Sequence, residues 1–301
     1  MQGVIKIDDP KYPNLLKEIS DPPKQLYYKG EWQDEIFENC LAVVGSRRMT
    51  TYGRQIAEKL VSEIASRGIT IVSGFMYGID ATAHKAAVDI GAKTIAVMPC
   101  GIELVHPENQ VKLYDEILEN NGLIISEYDG NLLPTNWTYP RRNRIVAGLS
   151  KAIMVVEAGE RSGSLITANF AKKFKRKIFA VPGPLTSILS KGINQLIREG
   201  AGVVTCAEDV LEFFGRSLKE VRPFGNSNEE ADRGHLPASR HGVSMNSLEQ
   251  QIIQQLQKEP MEIDLLSRFL GVSAAEAGKV LSMMELRGLV FVENGKYYIK
   301  N

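Results

Sequence analysis

The chain has 301 residues, with 36 lysines and arginines balancing 36 aspartates and glutamates to a formal net charge of zero. That balance excludes a molecule coated uniformly in positive charge, though not a local basic groove, and no apolar run approaches the roughly 20 residues of a membrane span. Cys40, Cys100 and Cys206 stand alone without Cys-x-x-Cys spacing, which excludes a disulfide framework and a cysteine zinc site.

Residues 1–35 read as a short N-terminal stub. Pro10, Pro13, Pro22 and Pro23 break any long helix, and 25–29 has the composition of a short edge strand. The apolar region of a signal peptide is missing, so the cytosol is the expected compartment. From residue 36 to 215 the pattern alternates. Apolar strands are expected at 41–44, 69–72, 94–97, 123–125, 153–156, 178–181 and 203–204. Helical stretches lie between them, such as 53–65 with Ile56, Leu60 and Ile64 on one face. Regular alternation of strand and helix predicts a doubly wound, Rossmann-like parallel sheet.

Residues 216–245 are polar and glycine-rich with almost no aliphatic periodicity, the composition of a flexible linker. Residues 246–301 form a second unit. Helices are expected over 247–257, 261–269 and 273–287, followed by two short strands around Asn294-Gly295, a strong hairpin turn. Three helices and a hairpin make a winged-helix domain.

In an open parallel sheet, ligands bind beyond the C-terminal strand ends, where helix N-termini supply N–H groups and positive dipole. Three of those ends carry small residues: Gly45-Ser46, Ser73-Gly74 and Ser162-Gly163-Ser164. Tight helix–strand packing explains most such glycines singly; three together, with Arg47 beside the first, point to an anion-binding rim. Residues 139–167 concentrate the same equipment. Tyr139 and Arg141, Arg142 and Arg144 precede a buried strand that runs into the Ser162 turn. Guanidinium forks match phosphate oxygens, and aromatic rings stack unpaired bases. On a helix Arg141 and Arg144 share a face, so these two are the candidate phosphate contacts, unless one pairs with a structural carboxylate such as Glu157 or Asp80.

The basic run at Lys172, Lys173, Lys175, Arg176 and Lys177 ends a helix far from that rim and fits C-terminal dipole charge. Asp80 is expected to cap its helix and to pair with His84 four residues on. His84 and His106 lack metal-ligand spacing, so no metal is expected. No cofactor is expected either. The turn Gly45-Ser46-Arg47-Arg48-Met49-Thr50-Thr51-Tyr52-Gly53 does not fit Gly-x-Gly-x-x-Gly, and Ser73-Gly74 stands where NAD enzymes place an acidic residue.

Residues 140–150, Pro-Arg-Arg-Asn-Arg-Ile-Val-Ala-Gly-Leu-Ser, closely resemble the Pro-x-Arg-Asn-Arg-Ile-x-x-Gly-Leu-Ser signature of the DprA (Smf) DNA-processing family. Glu157-Ala158 with Ser162 to Ala168, Gly45-Ser46-Arg47, and Ser73-Gly74 with Gly78-Ile79-Asp80 resemble its other blocks, in order, over roughly residues 12–202. The resemblance implies a single-stranded DNA-binding protein without catalysis, a homodimer formed through the Rossmann domain, protection of incoming DNA in natural transformation, and loading of the RecA recombinase. By motif match it singles out Arg47 first, then Arg144 and Tyr139, and includes Asn143. Many family members carry a helical N-terminal domain that is missing or reduced here.

The rival is a nucleotide-binding or nucleoside-monophosphate-hydrolysing Rossmann enzyme of LOG type, whose Gly-Gly-x-Gly-Thr-x-x-Glu turn is similar in layout to the Ser162 region. Its required glutamate falls here at Thr167 or Ala168, and neither hydroxyl nor methyl can do general acid/base work.

Overall fold

The computed structural model describes residues 2–217, 247–256, 260–286, 289–293 and 295–299. They belong to two compact units, Met1–Gly225 and Asn226–Asn301. Beyond Ser217, the expected linker lies outside the described residues.

The first unit opens with β1 (Gln2–Lys6), α1 (Asn14–Lys17) and β2 (Gln25–Gly30). The alternation proper begins at β3 (Cys40–Val44), then α2 (Thr51–Ala65), β4 (Thr70–Ser73), α3 (Ile79–Asp89) and β5 (Thr94–Gly101). It continues through α4 (Val111–Glu119), β6 (Leu123–Tyr128), α5 (Thr138–Leu149), β7 (Ala152–Val155) and α6 (Gly163–Lys173). It closes with β8 (Lys177–Ala180), α7 (Lys191–Arg198), β9 (Gly202–Val203) and α8 (Glu208–Leu211). One sheet of nine strands results, in the order β1-β2-β6-β5-β4-β3-β7-β8-β9. Strands β3 to β9 run parallel, and β1 and β2 are antiparallel.

Side chains of β3 show why the sheet needs two covers. Cys40, Ala42 and Val44 join the core under α5 and α6, while Leu41 and Val43 join the core under α2 and α3. Successive residues of a strand point to opposite faces, so a run of five buried residues reads as apolar throughout. A third cluster packs α4 onto Phe75, Met98 and Ile124.

The N-terminal stretch differs from expectation. β2 is not the edge of the sheet, because β1 pairs along its outer side from Gln2↔Lys29 to Lys6↔Gln25. Only Ile5 of β1 is buried, so the strand has too little apolar alternation to be seen in sequence. Tyr12, Leu16 and Ile19 are buried against the main core. A Cβ at Gly148 on α5 would stand 2.7 Å from a Leu16 methyl. The stub is thus wall and core of the first unit. β5 also runs past its expected end, through Pro99, where a register shift between Met98 and Gly101 accommodates a residue with no N–H.

The second unit contains α9 (Ser247–Leu256), α10 (Ile263–Leu270), α11 (Ala274–Leu286) and the antiparallel pair β10 (Val290–Glu293) and β11 (Lys296–Ile299). It is a winged helix around Ile252, Leu256, Leu266, Leu281 and Met284. α10 starts at Ile263 rather than 261 because Met261 pairs as a strand with Tyr297. Ser273 and Glu276 exchange hydrogen bonds as a capping box, fixing where α11 begins. Asn294 of the expected turn lies outside the described residues. Among the described residues no helix is long and apolar enough to cross a membrane.

Candidate nucleic-acid interface

The chain runs from β3 to β4 on one side and later returns to place β7 on the other. The C-terminal ends of β3 and β7 therefore flank the topological switch point, where open α/β sheets bind ligands. A cavity of about 560 Å³ opens there.

Its first wall is the turn after β3. Gly45 is glycine because a Cβ would stand 2.6 Å from the Ile79 side chain. The Ser46 carbonyl accepts from Ile79 N at 3.2 Å, and Gly78, at φ 76°, sits so close to that carbonyl that a Cβ would be 2.2 Å away. Ser46 Oγ accepts from Arg48 N at 3.1 Å. Glu157, buried after β7, accepts from Thr50 N at 2.9 Å and Thr50 Oγ1 at 2.6 Å at the start of α2. A turn locked on both sides leaves Arg47 exposed at the mouth with a fixed backbone. Its guanidinium lies 4.9 Å from the centroid of the Tyr139 ring. The Tyr139 hydroxyl is in turn hydrogen-bonded to His106 Nε2 at 2.8 Å, and burial holds that imidazole below its ordinary pKa. Arg47 lies over the Tyr139 ring, and the tilted His106 imidazole braces that ring through its hydroxyl.

The second wall is the N-terminus of α6. Ser162 caps it, accepting from Ser164 N at 3.4 Å, and the two hydroxyls lie 2.8 Å apart. A Cβ at Gly163 would meet nothing within 4 Å. Packing does not demand this glycine; it leaves open space beside a helix N-terminus, where backbone and dipole favour an anion. Asn143 Nδ2 donates to the Gly163 carbonyl at 3.4 Å and ties this wall to α5.

The floor holds two residues outside the expected set. Arg142, 3 % exposed, donates to the Gly74 and Val97 carbonyls and from Nε to Asn143 Oδ1 at 3.2 Å. Burial pushes its pKa down to about 10. Asp80, 9 % exposed, is pushed up to about 6 by burial, against the pull of Arg142. Arg48, Met76 and Asn136 also line the cavity. Arg48 adjoins Arg47 in sequence, but nothing in the pattern marks Asp80 or Arg142 as cavity residues.

Several expected placements are corrected. Arg144 and Arg141 do not line the cavity. Arg144, 3 % exposed, donates from Nη2 to Glu127 Oε1 at 2.7 Å and from Nε to Asp21 Oδ2 at 3.0 Å, while Arg141 pairs with Glu127 at 3.2 Å. Both guanidinium groups face carboxylates other than Glu157 or Asp80. Ser73 is fully buried, its hydroxyl donating to the Val43 carbonyl at 2.6 Å, so it braces the sheet instead of joining the rim. Gly74 does line the cavity, but the Arg142 guanidinium fills the space where its Cβ would stand. Asp80 lies inside the first turn of α3, with Gly78 at the cap position, and accepts from Met76 N at 3.4 Å. His84 bonds Thr94 Oγ1 at 2.7 Å, not Asp80, and burial drives its pKa down to about 3. In the basic run, Lys172 pairs with Glu199 and Arg176 with Glu18, away from the cavity.

The arrangement can hold a phosphate at the mouth, between Arg47 and the α6 N-terminus, with an aromatic ring beside it. Thr167, buried along the cavity wall, and Ala168, buried beside it, are the two positions where a LOG-type enzyme would carry its glutamate, so the hydrolase reading is not favoured.

Residues 3–215 match the family model described as DNA recombination-mediator protein A, and residues 237–296 match the DprA winged helix domain. Protein Smf of Escherichia coli is 41 % identical over 209 residues, covering 69 % of this chain and 56 % of that protein. The chain thus spans just over half of that relative's length. Protein Smf of Synechocystis is 32 % identical over 97 % of this chain and 78 % of its own length. DNA processing protein DprA of Streptococcus pneumoniae is 43 % identical over 68 % of this chain and 72 % of its own. The crystal structure of the S. pneumoniae protein superposes with a TM-score of 0.66 at 41 % identity, over 70 % of this chain and 73 % of that one. A structure of Helicobacter pylori DNA processing protein A, described for its single-stranded DNA binding mode, has a TM-score of 0.64 at 30 % identity, over 71 % and 95 %.

Proposed function

The chain belongs to the DNA recombination-mediator protein A (DprA/Smf) family, and from that premise we propose that the cavity at its switch point binds single-stranded DNA. The observation that carries the reading is the Arg47–Tyr139 stack beside the open Gly163 turn. Charge and stacking together are what an unpaired strand requires. The H. pylori relative, described by its single-stranded DNA binding, supports it. We further propose that binding is not coupled to catalysis, that the protein acts as a homodimer through its Rossmann unit, and that its role in recombination is to protect incoming strands and hand them to RecA. These last steps rest on family membership.

If phosphate contacts dominate, log affinity for an oligothymidine will fall linearly with log salt, with a slope of roughly −0.7 per phosphate held. Arg47→Ala is expected to flatten that slope by about one contact and to weaken binding about tenfold, leaving thermal unfolding unchanged. Salt-independent binding, or an unaltered Arg47→Ala protein, removes the site.

The winged unit is expected to be dispensable for this binding. Residues 247–301 carry six basic side chains (Lys258, Arg268, Lys279, Arg287, Lys296, Lys300) and seven acidic ones (Glu249, Glu259, Glu262, Asp264, Glu276, Glu285, Glu293), a balance of −1. Within α11 only Lys279 opposes Glu276 and Glu285, too little charge for a helix that reads duplex DNA. A chain ending at Ser217, titrated beside the full chain at one salt concentration, should keep its affinity within about tenfold. A larger loss would assign the small unit a principal share.

A further inference from the structure

The floor of the cavity differs chemically from its mouth. Arg47, Arg48 and the α6 N-terminus at the mouth suit a phosphate, but the carboxylate of Asp80 below them would repel one. Asp80 is more than nine-tenths buried, lines the cavity, and makes no ion pair within 4.0 Å among the described residues. Its one backbone donor is Met76 N, at 3.4 Å. Ser73 stands within reach, but its single hydroxyl hydrogen is taken by the Val43 carbonyl at 2.6 Å. A carboxylate has room for about four hydrogen bonds and is costly to bury with so few. The missing donors must come from what enters the cavity.

Arg142 lines the same floor. Its Nη1 and Nε are committed to Gly74, Val97 and Asn143, while Nη2 donates to no protein group among the described residues. An acceptor carboxylate and a spare guanidinium donor therefore share one floor, between walls that include Val44, Met76, Val146 and Ile166. The walls suit a flat ring; the floor suits a ring edge carrying adjacent donors and an acceptor.

Resting on the single-strand reading, we propose that the cavity takes a nucleobase from the bound strand and selects guanine, with Asp80 accepting from its N1–H and N2 amino group and Arg142 donating to its O6. Among the four bases only guanine presents two neighbouring N–H donors beside a carbonyl on its pairing edge. Adenine and cytosine offer one amino group next to a ring-nitrogen acceptor that faces the carboxylate. Thymine offers one N–H between two carbonyls that the carboxylate repels. The mouth then holds the phosphate of the same nucleotide, so affinity for any strand comes from the mouth and discrimination from the floor.

The test compares the full chain binding a thymidine 20-mer with a thymidine 20-mer carrying three isolated guanines. A well-formed bidentate contact discriminates enough to make the guanine strand about tenfold tighter. Replacing those guanines by hypoxanthine, which lacks the N2 amino group, or by O6-methylguanine, which lacks N1–H, should abolish the gain. Asp80→Asn should bring the guanine-to-thymine ratio to about one, whatever it does to the affinity common to both strands. Equal affinity of the wild-type chain for both strands overturns the guanine assignment alone, as does a preference that survives either modified base or Asp80→Asn. If neither strand binds, the single-strand reading falls and takes this assignment with it.

Discussion

Glu127→Ala is expected to lower the stability of the first unit by about 3 kcal/mol, the low end for stranding one partner of a buried ion pair. Glu127 accepts from Arg144 Nη2 at 2.7 Å and from Arg141 Nε at 3.2 Å. Without it, the buried Arg144 keeps only the carbonyl of Arg141 at 3.4 Å and Asp21 at 3.0 Å. The Asp21 side chain is 70 % exposed, so water screens what it can offer. Asp21→Ala should accordingly cost less than about 1 kcal/mol, as exposed partners do. Both tryptophans, Trp32 and Trp137, lie in the first unit, so denaturant unfolding followed by tryptophan fluorescence reports on it alone. A fall in midpoint at unchanged slope is the expected result. Equal, small effects from the two variants would show that Arg144 is held by something other than charge. Arg144→Ala should likewise act on stability and leave the salt slope of DNA binding alone, since its side chain does not reach the cavity.

The contrast between Arg47 and Arg144 shows what a sequence displays and what it hides. The sheet was legible because strands buried on both faces, such as β3 and β7, are apolar throughout, and helices between them carry a 3.6-residue period. The place of Arg47 was legible because it stands two residues after a strand-end glycine, in the turn that opens the rim. Arg141, Arg142 and Arg144 share charge, spacing and helix, yet one reaches the cavity floor and the other two face Glu127. Their destinations depend on β6, which supplies Glu127, and on the N-terminal stretch, which supplies Asp21. Such long-range partners leave no periodic mark. β1 was missed for a related reason, since one buried side chain in five residues is no pattern. The glycines were ambiguous for a local one. Gly45 and Gly74 are small because Ile79 and Arg142 fill the space, and Gly163 because space is left open; all three look alike in sequence.

Asp80→Asn is expected to stabilise the first unit at pH 7.5 by up to about 3 kcal/mol. Burial lifts the Asp80 pKa from the ordinary carboxylate value to about 6 in the folded protein, roughly two units at about 1.4 kcal/mol each. Between pH 4 and 6 the folded state therefore holds a proton that the unfolded chain has released. For this group, stability is fully present below about pH 4, is lost as pH rises through 6, and is at its lowest by pH 7.5. Asparagine has no such charge to desolvate and can still accept from Met76 N. Carboxylates held low by a partner, such as Asp21 beside Arg144, change stability in the opposite sense as pH falls. The readout is therefore the difference between variant and wild type at each pH, in which those contributions cancel. That difference should open between pH 4 and 7 and close below pH 4. The pull of Arg142 already lowers that folded pKa, so the expected gain is net of the neighbour that Arg142 loses. A variant less stable than wild type at pH 7.5, or a gap that does not vary with pH, would mean that the carboxylate is a supporting partner of Arg142 and not an ionised group awaiting a donor. A gain confined to neutral pH, together with loss of the guanine preference, would show that the fold tolerates this charge because the bound strand uses it.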